Sequence, residues 1–199
     1  MQKMKRIKIL FTGVGGQGIL LASRLIGEAA LAEGIPVSLS EVHGMAQRGG
    51  VVESNVMLGG IEGPIISMGE ADILVGFEPL ETLRALTYCF KKTSIITNTA
   101  QIPPLTVKLG KDAYPDMGTW IDFMKRTFSV VYAYDAHGIA QSTGSVQVAN
   151  MVLLGTLIGA NLVPISYNCM IEIIKTRIKP KLVEINLKAF EMGMEIASS

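Results

Sequence analysis

An α/β domain with a largely parallel sheet flanked by helices, ending in a helical C-terminal third, is the fold this sequence predicts. Three observations carry the prediction. Short apolar runs that suit buried strands alternate with segments of helical periodicity. A glycine-rich turn joins the first of these strands to the first helix. From Val146 onward the strand-like runs stop and helical segments follow one another.

Taken in order, Ile7–Thr12 reads as a buried strand, Gly13–Gly18 as a glycine turn and Gln17–Glu33 as a helix with a broad apolar face. Gly34 stops that helix, as a left-handed cap would. Val37–Val42 is a second strand, 43–50 a loop, Val51–Leu58 an alternating strand and Gly59–Pro64 a turn. Asp72–Phe77 is a short buried strand, and Pro79 opens a helix through about Tyr88. Ser94–Thr97 is a further apolar strand. The stretch from Ile102 to Tyr114 is irregular and rich in Pro and Gly. Trp120–Arg126 reads as helix and Val130–Tyr134 as a late strand. Val146–Ala160 is helical and rich in small residues. Ser166 caps a helix through Ile178, and Pro180 opens a last one to about Met194.

With 199 residues, 49% of them hydrophobic and 18% charged, the chain suits one domain with a sizeable core. Its mean hydropathy of +0.39 is high for a monomer. The longest apolar stretch, Met151–Ile165, is broken by Gly155, Gly159, Asn161 and Pro164. It falls short of the roughly 18 apolar residues of a membrane span. The expectation is a cytoplasmic subunit that buries extra apolar surface against partners or against itself, not a membrane protein. A net charge of +1 without a basic block argues against nucleic acid as a partner. Cys89 and Cys169 form no CxxC pair and are read as free buried thiols in a reducing compartment. No zinc site or four-cysteine cluster can be built from them within this chain.

Gly13-Val14-Gly15-Gly16-Gln17-Gly18 fits GxGxxG between a strand and a helix, which makes the sheet Rossmann-like. Glu41 ends the second strand where a nicotinamide-binding fold often places its ribose-binding acid. A crossover helix should then follow, yet 43–50 holds three glycines and leads directly into a strand. Three readings of the turn stay open: a packing junction, an anion or phosphate contact through Gly13, Gly15, Gly16, Gln17 and Gly18, or an NAD or FAD site. The loop beginning at Glu41 carries His43, Met45, Gln47, Arg48, Gly49 and Gly50, a set able to mould to a ligand or partner. Arg48 suits a carboxylate or phosphate through its planar fork, or fixes the loop by pairing with Glu41 or Glu53. His43 and His137 are read first as structural.

The segment FTGVGGQGILLASRLIGEAA followed by SEVHGMAQRGGVVESNVMLG resembles the gamma-type domain of 2-oxoacid:ferredoxin oxidoreductases. The EVHGMAQRGG wording is most similar to the beta subunit of the indolepyruvate branch. Further matches are Ala71-Asp72, Phe77-Glu78-Pro79, the helix from Asn150 to Gly159, and Glu184-Ile185-Asn186. The resemblance spans essentially the whole chain, 1–199, as one gamma-type domain. It implies an accessory subunit of an enzyme that oxidatively decarboxylates a 2-oxoacid, with aryl pyruvates favoured, to an acyl-CoA while reducing ferredoxin. Thiamine diphosphate and iron–sulfur clusters would then lie on a separate large subunit, because this sequence lacks the thiamine signature and cluster-spaced cysteines. The isolated chain would carry no cofactor and be inactive. The resemblance places a CoA-side role on Gly15–Gly18 and on 43–50. Two rivals remain: a self-contained NAD(P)-dependent enzyme, and a structural interaction protein with a degenerate nucleotide fold.

Overall fold

Strand β1 (Ile7–Val14) runs inside a six-stranded sheet with β2 (Val37–His43), β3 (Val51–Leu58), β4 (Ala71–Gly76), β5 (Cys89–Asn98) and β6 (Val130–Tyr134). The computed structural model describes residues 5–43, 50–61, 63–102 and 113–198. The order across the sheet is β2–β3–β1–β4–β5–β6. β1 pairs parallel with β4, β4 with β5 and β5 with β6, while β3 runs antiparallel to both β1 and β2. β2 therefore points the same way as β1 but lies one strand removed from it. The missing crossover helix has its explanation here: the chain turns back after β2 and slots β3 into the gap as a hairpin partner.

Seven helices are described: α1 (Ile19–Ala32), α2 (Pro79–Ala85), α3 (Met117–Thr127), α4 (Ala136–Ser142), α5 (Ala149–Gly159), α6 (Tyr167–Arg177) and α7 (Pro180–Ser198). Period-two alternation in β1 divides them between the two faces. Ile7, Ile9 and Phe11 face a large core shared with α1, α4, α5, α6 and α7. Leu10 on the other face joins Met57, Leu74 and Ile95 beneath Ala85 of α2 and Met124 of α3.

The boundaries follow local chemistry. Gly34 sits at φ +71° after α1, the left-handed geometry expected of it. Pro79 is the first residue of α2, Glu78 caps it through the Glu81 N–H, and a 3-10 turn (Leu86–Tyr88) replaces the last turn of the predicted helix. Ser166 caps α6 by accepting the Cys169 N–H at 3.2 Å. The predicted helix from Val146 begins as a 3-10 turn (Val146–Val148) before α5. α7 runs four residues past Met194, to Ser198. Helix α4 was not expected. Its signal is Asp135, which caps it by accepting the Gly138 N–H at 2.8 Å.

The apolar stretch that begins at Met151 lies in a central helix: every residue of α5 from Ala149 to Ile158 is buried within the chain. Gly155 and Gly193 let α5 and α7 touch backbone to backbone: a Cβ on Gly155 would lie 1.9 Å from the Phe190 carbonyl oxygen. An internal central helix accounts for part of the high hydropathy. No described helix is long and apolar enough to cross a membrane.

Candidate functional site: a cavity at the glycine turn

The C-terminal ends of β1, β4 and β5, with the segment after β6, converge on a cavity of about 360 Å³. In parallel α/β sheets this is the side where ligands gather. Gly15, Gly16 and Gln17 follow β1, Phe77 follows β4, Asn98 ends β5, and His137 lies in α4 just after β6; all line the cavity. Val146, Gln147 and Leu153 close it from the start of the C-terminal helices. Among the described residues, no acidic side chain lines it.

The turn is held by its own side chain. Gln17 accepts the Val14 N–H through Oε1 at 2.7 Å and donates through Nε2 to the Phe77 carbonyl at 2.9 Å. The Gly15 N–H donates to the Gly50 carbonyl at 3.0 Å, tying the turn to the start of β3. Two N–H groups that an anion might have used are thus already engaged. Among the described residues, no acceptor reaches the N–H of Gly16 or Gly18. Gly13 and Gly18 are inside the fold: a Cβ would meet Gln17 Oε1 at 2.6 Å and Asn150 Nδ2 at 2.7 Å respectively. Gly16, at φ +102°, faces open space.

Asn98 positions the far wall. Its amide donates to the Phe77 carbonyl at 3.1 Å, and its oxygen accepts the N–H groups of Ala100 and Ala136 at 3.1 and 2.9 Å. The last of these fixes the start of α4 and with it His137. Glu78, 1% exposed, fastens another wall: its carboxylate accepts from Glu81 N, Ile102 N and Tyr114 Oη. Burial pushes the Tyr114 hydroxyl well above its ordinary pKa, and the Glu78 carboxylate adds to the shift, so Tyr114 holds its proton as the donor. Burial also raises Glu81 despite its 2.7 Å pairing with Arg84, and raises Glu53 on β3.

Of the residues singled out in sequence, Gly15, Gly16 and Gln17 meet at the cavity and Gly50 is bonded to its edge. Glu41 lies on β2 and pairs with Arg24 on α1 at 3.1 Å. Met45, Gln47, Arg48 and Gly49 lie outside the described residues, as does the side chain of His43. His137 and Gln147 belong to the cavity although the sequence reading gave neither a role. The Asp135–Gly138 cap was the one available signal for the helix that carries His137. Cys89 and Cys169 are half-buried thiols on separate elements, at the start of β5 and in α6. Burial pushes Cys89 up to about 12 and raises Cys169, the latter aided by the Glu33 carboxylate. The two thiols lie on separate elements, and no group of three or more metal-ligating side chains occurs among the described residues.

A parallel sheet with ligand-side glycine turn, interposed hairpin and helical C-terminal layer defines a Rossmann-like α/β domain distinct from a dinucleotide half. Comparison with known proteins places it more narrowly. Residues 8–196 match the family described as pyruvate ferredoxin/flavodoxin oxidoreductase, and the chain belongs to that family. It is 38% identical over 196 residues to indolepyruvate oxidoreductase subunit IorB of Thermococcus kodakarensis, covering 98% of this chain and 97% of that protein. The corresponding subunit of Archaeoglobus fulgidus is 39% identical over 194 residues, covering 98% of this chain and 96% of the relative. The fold matches the gamma subunit of a keto/oxoacid ferredoxin oxidoreductase from Geobacter sulfurreducens. That match has a TM-score of 0.70 and 24% identity, over 96% of this chain and 98% of that one.

Proposed function

We propose that this chain is an accessory, gamma-type subunit of a 2-oxoacid:ferredoxin oxidoreductase complex, one domain across 1–199, with an aryl pyruvate such as indolepyruvate as the favoured substrate. Near-full-length similarity to IorB subunits supports the branch. In this reading a separate large subunit holds the thiamine diphosphate and the clusters and passes electrons to ferredoxin. The present chain contributes a surface at the acyl-CoA side of the active site. That surface is the glycine turn together with the loop from Glu41 to Gly50.

The observation that carries the assignment of this surface is the Gly15 N–H to Gly50 carbonyl bond. It brings Gly50, the residue before β3, to the rim of the cavity at the ligand side of the sheet. A nicotinamide site is disfavoured by the same geometry. Strands lie about 4.8 Å apart, so the interposed β3 puts Glu41 two spacings from β1, where its carboxylate already serves Arg24.

The test is reconstitution with the large subunit of the complex. Arg48→Ala is expected to leave the chain folded while lowering assembly or CoA-dependent turnover at least tenfold, about the loss of one charge-assisted contact. Arg48→Lys is expected to rescue only in part, because an ammonium lacks the planar fork. Wild-type assembly and turnover in Arg48→Ala would remove the loop from the site. Micromolar NAD binding by the lone chain would promote the dehydrogenase rival.

A further inference from the structure

Phe77-Glu78-Pro79 joins β4 to α2 at the ligand side of the sheet, and the glycine-turn cavity is assembled around it. The Phe77 carbonyl accepts Gln17 Nε2 at 2.9 Å and Asn98 Nδ2 at 3.1 Å. Gln17 belongs to the glycine turn, and Asn98 also takes the Ala136 N–H that opens α4. Glu78 Oε1 accepts the Ile102 N–H at 3.3 Å and the Tyr114 hydroxyl, while Oε2 accepts the Glu81 N–H at 3.0 Å. Phe77 and Ile102 both line the cavity.

The cap of α2 does not by itself call for a glutamate. The short side chains Ser, Thr, Asp and Asn fill an N-cap best. Pro79 holds Glu78 in extended backbone, φ −143° and ψ 135°, the geometry from which such a cap is made. An aspartate there could still accept the Glu81 N–H. It would fall short of Ile102 and Tyr114 by the length of one C–C bond, about 1.5 Å. Glu78 is 1% exposed, and no ion pair to it occurs among the described residues. A buried acid is costly unless its oxygens are bonded. Of its three side-chain bonds, only the one to Glu81 serves the helix; the other two fasten Ile102 and Tyr114.

We propose that Glu78 is a positioning residue for the ligand of the glycine-turn cavity, which, resting on the reading above, is the acyl-CoA side of the active site. It acts through Ile102, which it holds in the cavity wall, from the same tripeptide that anchors Gln17 and Asn98. Glu78 is not itself among the lining residues, so it touches no ligand. Disturbing it therefore weakens CoA binding and leaves the chemical step on the large subunit in place.

The test uses the full chain, alone and reconstituted with the large subunit, with CoA as the varied substrate. Glu78→Asp keeps the charge and the helix cap and withdraws the reach. In the lone chain the Ile102 amide is expected to exchange with solvent about tenfold faster or more, read by NMR. The Tyr114 phenol should titrate lower than in wild type, yet above its ordinary value, because burial is the larger cause of its shift. In the complex the KM for CoA should rise about tenfold with kcat held within about twofold. Tyr114→Phe removes one donor to the same oxygen and should raise that KM about threefold. It answers the question even if Glu78→Asp does not fold. Unchanged Ile102 exchange, or a fall in kcat at constant KM, would overturn the proposal. An unchanged KM would overturn it too, and Arg48→Ala then separates the two cases. If Arg48→Ala is impaired, Glu78 alone is misassigned; if it too behaves as wild type, the acyl-CoA reading of the cavity falls as well.

Discussion

Replacing Gly155 by alanine tests the packing on which the glycine-turn cavity depends. α5 lies between the sheet and α7, and the two helices meet at Gly155 and Gly193. A Cβ on Gly155 would stand 1.9 Å from the Phe190 carbonyl oxygen, and one on Gly193 would stand 2.0 Å from that of Val152. Ordinary contact needs about 3.5 Å, so Gly155→Ala forces the helices apart by more than roughly 1 Å. The obstacle is helix backbone, which cannot rotate away. Over-packing of a core costs about 1–3 kcal/mol and here belongs at the upper end. The Thr156 hydroxyl bond to the Gly193 carbonyl, 2.9 Å long, spans the same gap and its loss adds about 1 kcal/mol. Better helix propensity returns about 1 kcal/mol. The net is about 3 kcal/mol, or roughly 6–12 °C in Tm for a domain of this length. Thermal melts by circular dichroism of wild type, Gly155→Ala and Gly159→Ala decide it. At Gly159 the clash is milder, 2.9 Å to the Met194 oxygen, and a smaller fall is expected. A Gly155→Ala melt within about 2 °C of wild type would refute the packing argument.

Two further outcomes follow from buried titratable groups. Burial raises the pKa of Glu53 above the ordinary 4.5, so the folded chain holds that proton more tightly than the unfolded chain. Stability therefore falls as pH rises from about 4.5 through the folded value, and Glu53→Gln should raise Tm at pH 7 but not at pH 4; an equal Tm change at both pH values would contradict this. Cys89, held protonated by burial with its pKa pushed up to about 12, should resist iodoacetamide in the native state at pH 8 and label only on unfolding. Rapid native alkylation, located by peptide mass spectrometry, would show the thiol to be accessible.

Much of the fold was legible because the elements advertise themselves locally. Ile7–Val14, Val37–His43 and Val51–Leu58 are bounded by Gly34, Gly59 and the glycine turn, and Pro79, Ser166 and Pro180 mark helix starts. Strand order was less legible. The absence of a helix after β2 was visible, but that β3 would slot between β2 and β1 depends on pairing, which the local pattern does not state. α4 was hidden because Ala136–Ser142 is short and only weakly apolar. The cavity was half legible for the same reason: its glycine rim lies in one motif, while His137 and Gln147 come from segments more than a hundred residues away. Asn98, which joins the two halves through the Phe77 carbonyl and the Ala136 N–H, sits at a strand end where no motif marks it.

The glycine turn shows why a GxGxxG spacing underdetermines a ligand. Gly13 and Gly18 are required here for separate reasons. Gly13 leaves room for the Gln17 amide, which satisfies the Val14 N–H and grips β4 through Phe77. Gly18 combines a φ of +77° with close approach of Asn150 from α5. Gly15 hands its N–H to Gly50 and so couples the turn to the hairpin. A dinucleotide site would instead need those N–H groups turned outward and an acid on the strand next to β1; the first are used internally, and the second place is taken by β3. What remains exposed is Gly16, in a left-handed conformation with open space before its Cα. Among the described residues, the N–H groups the turn leaves without an acceptor are those of Gly16 and Gly18, and His137 lines the same cavity as Gly16. Helix α5 borders that cavity, since it supplies Leu153 to the lining and Asn150 to the back of Gly18.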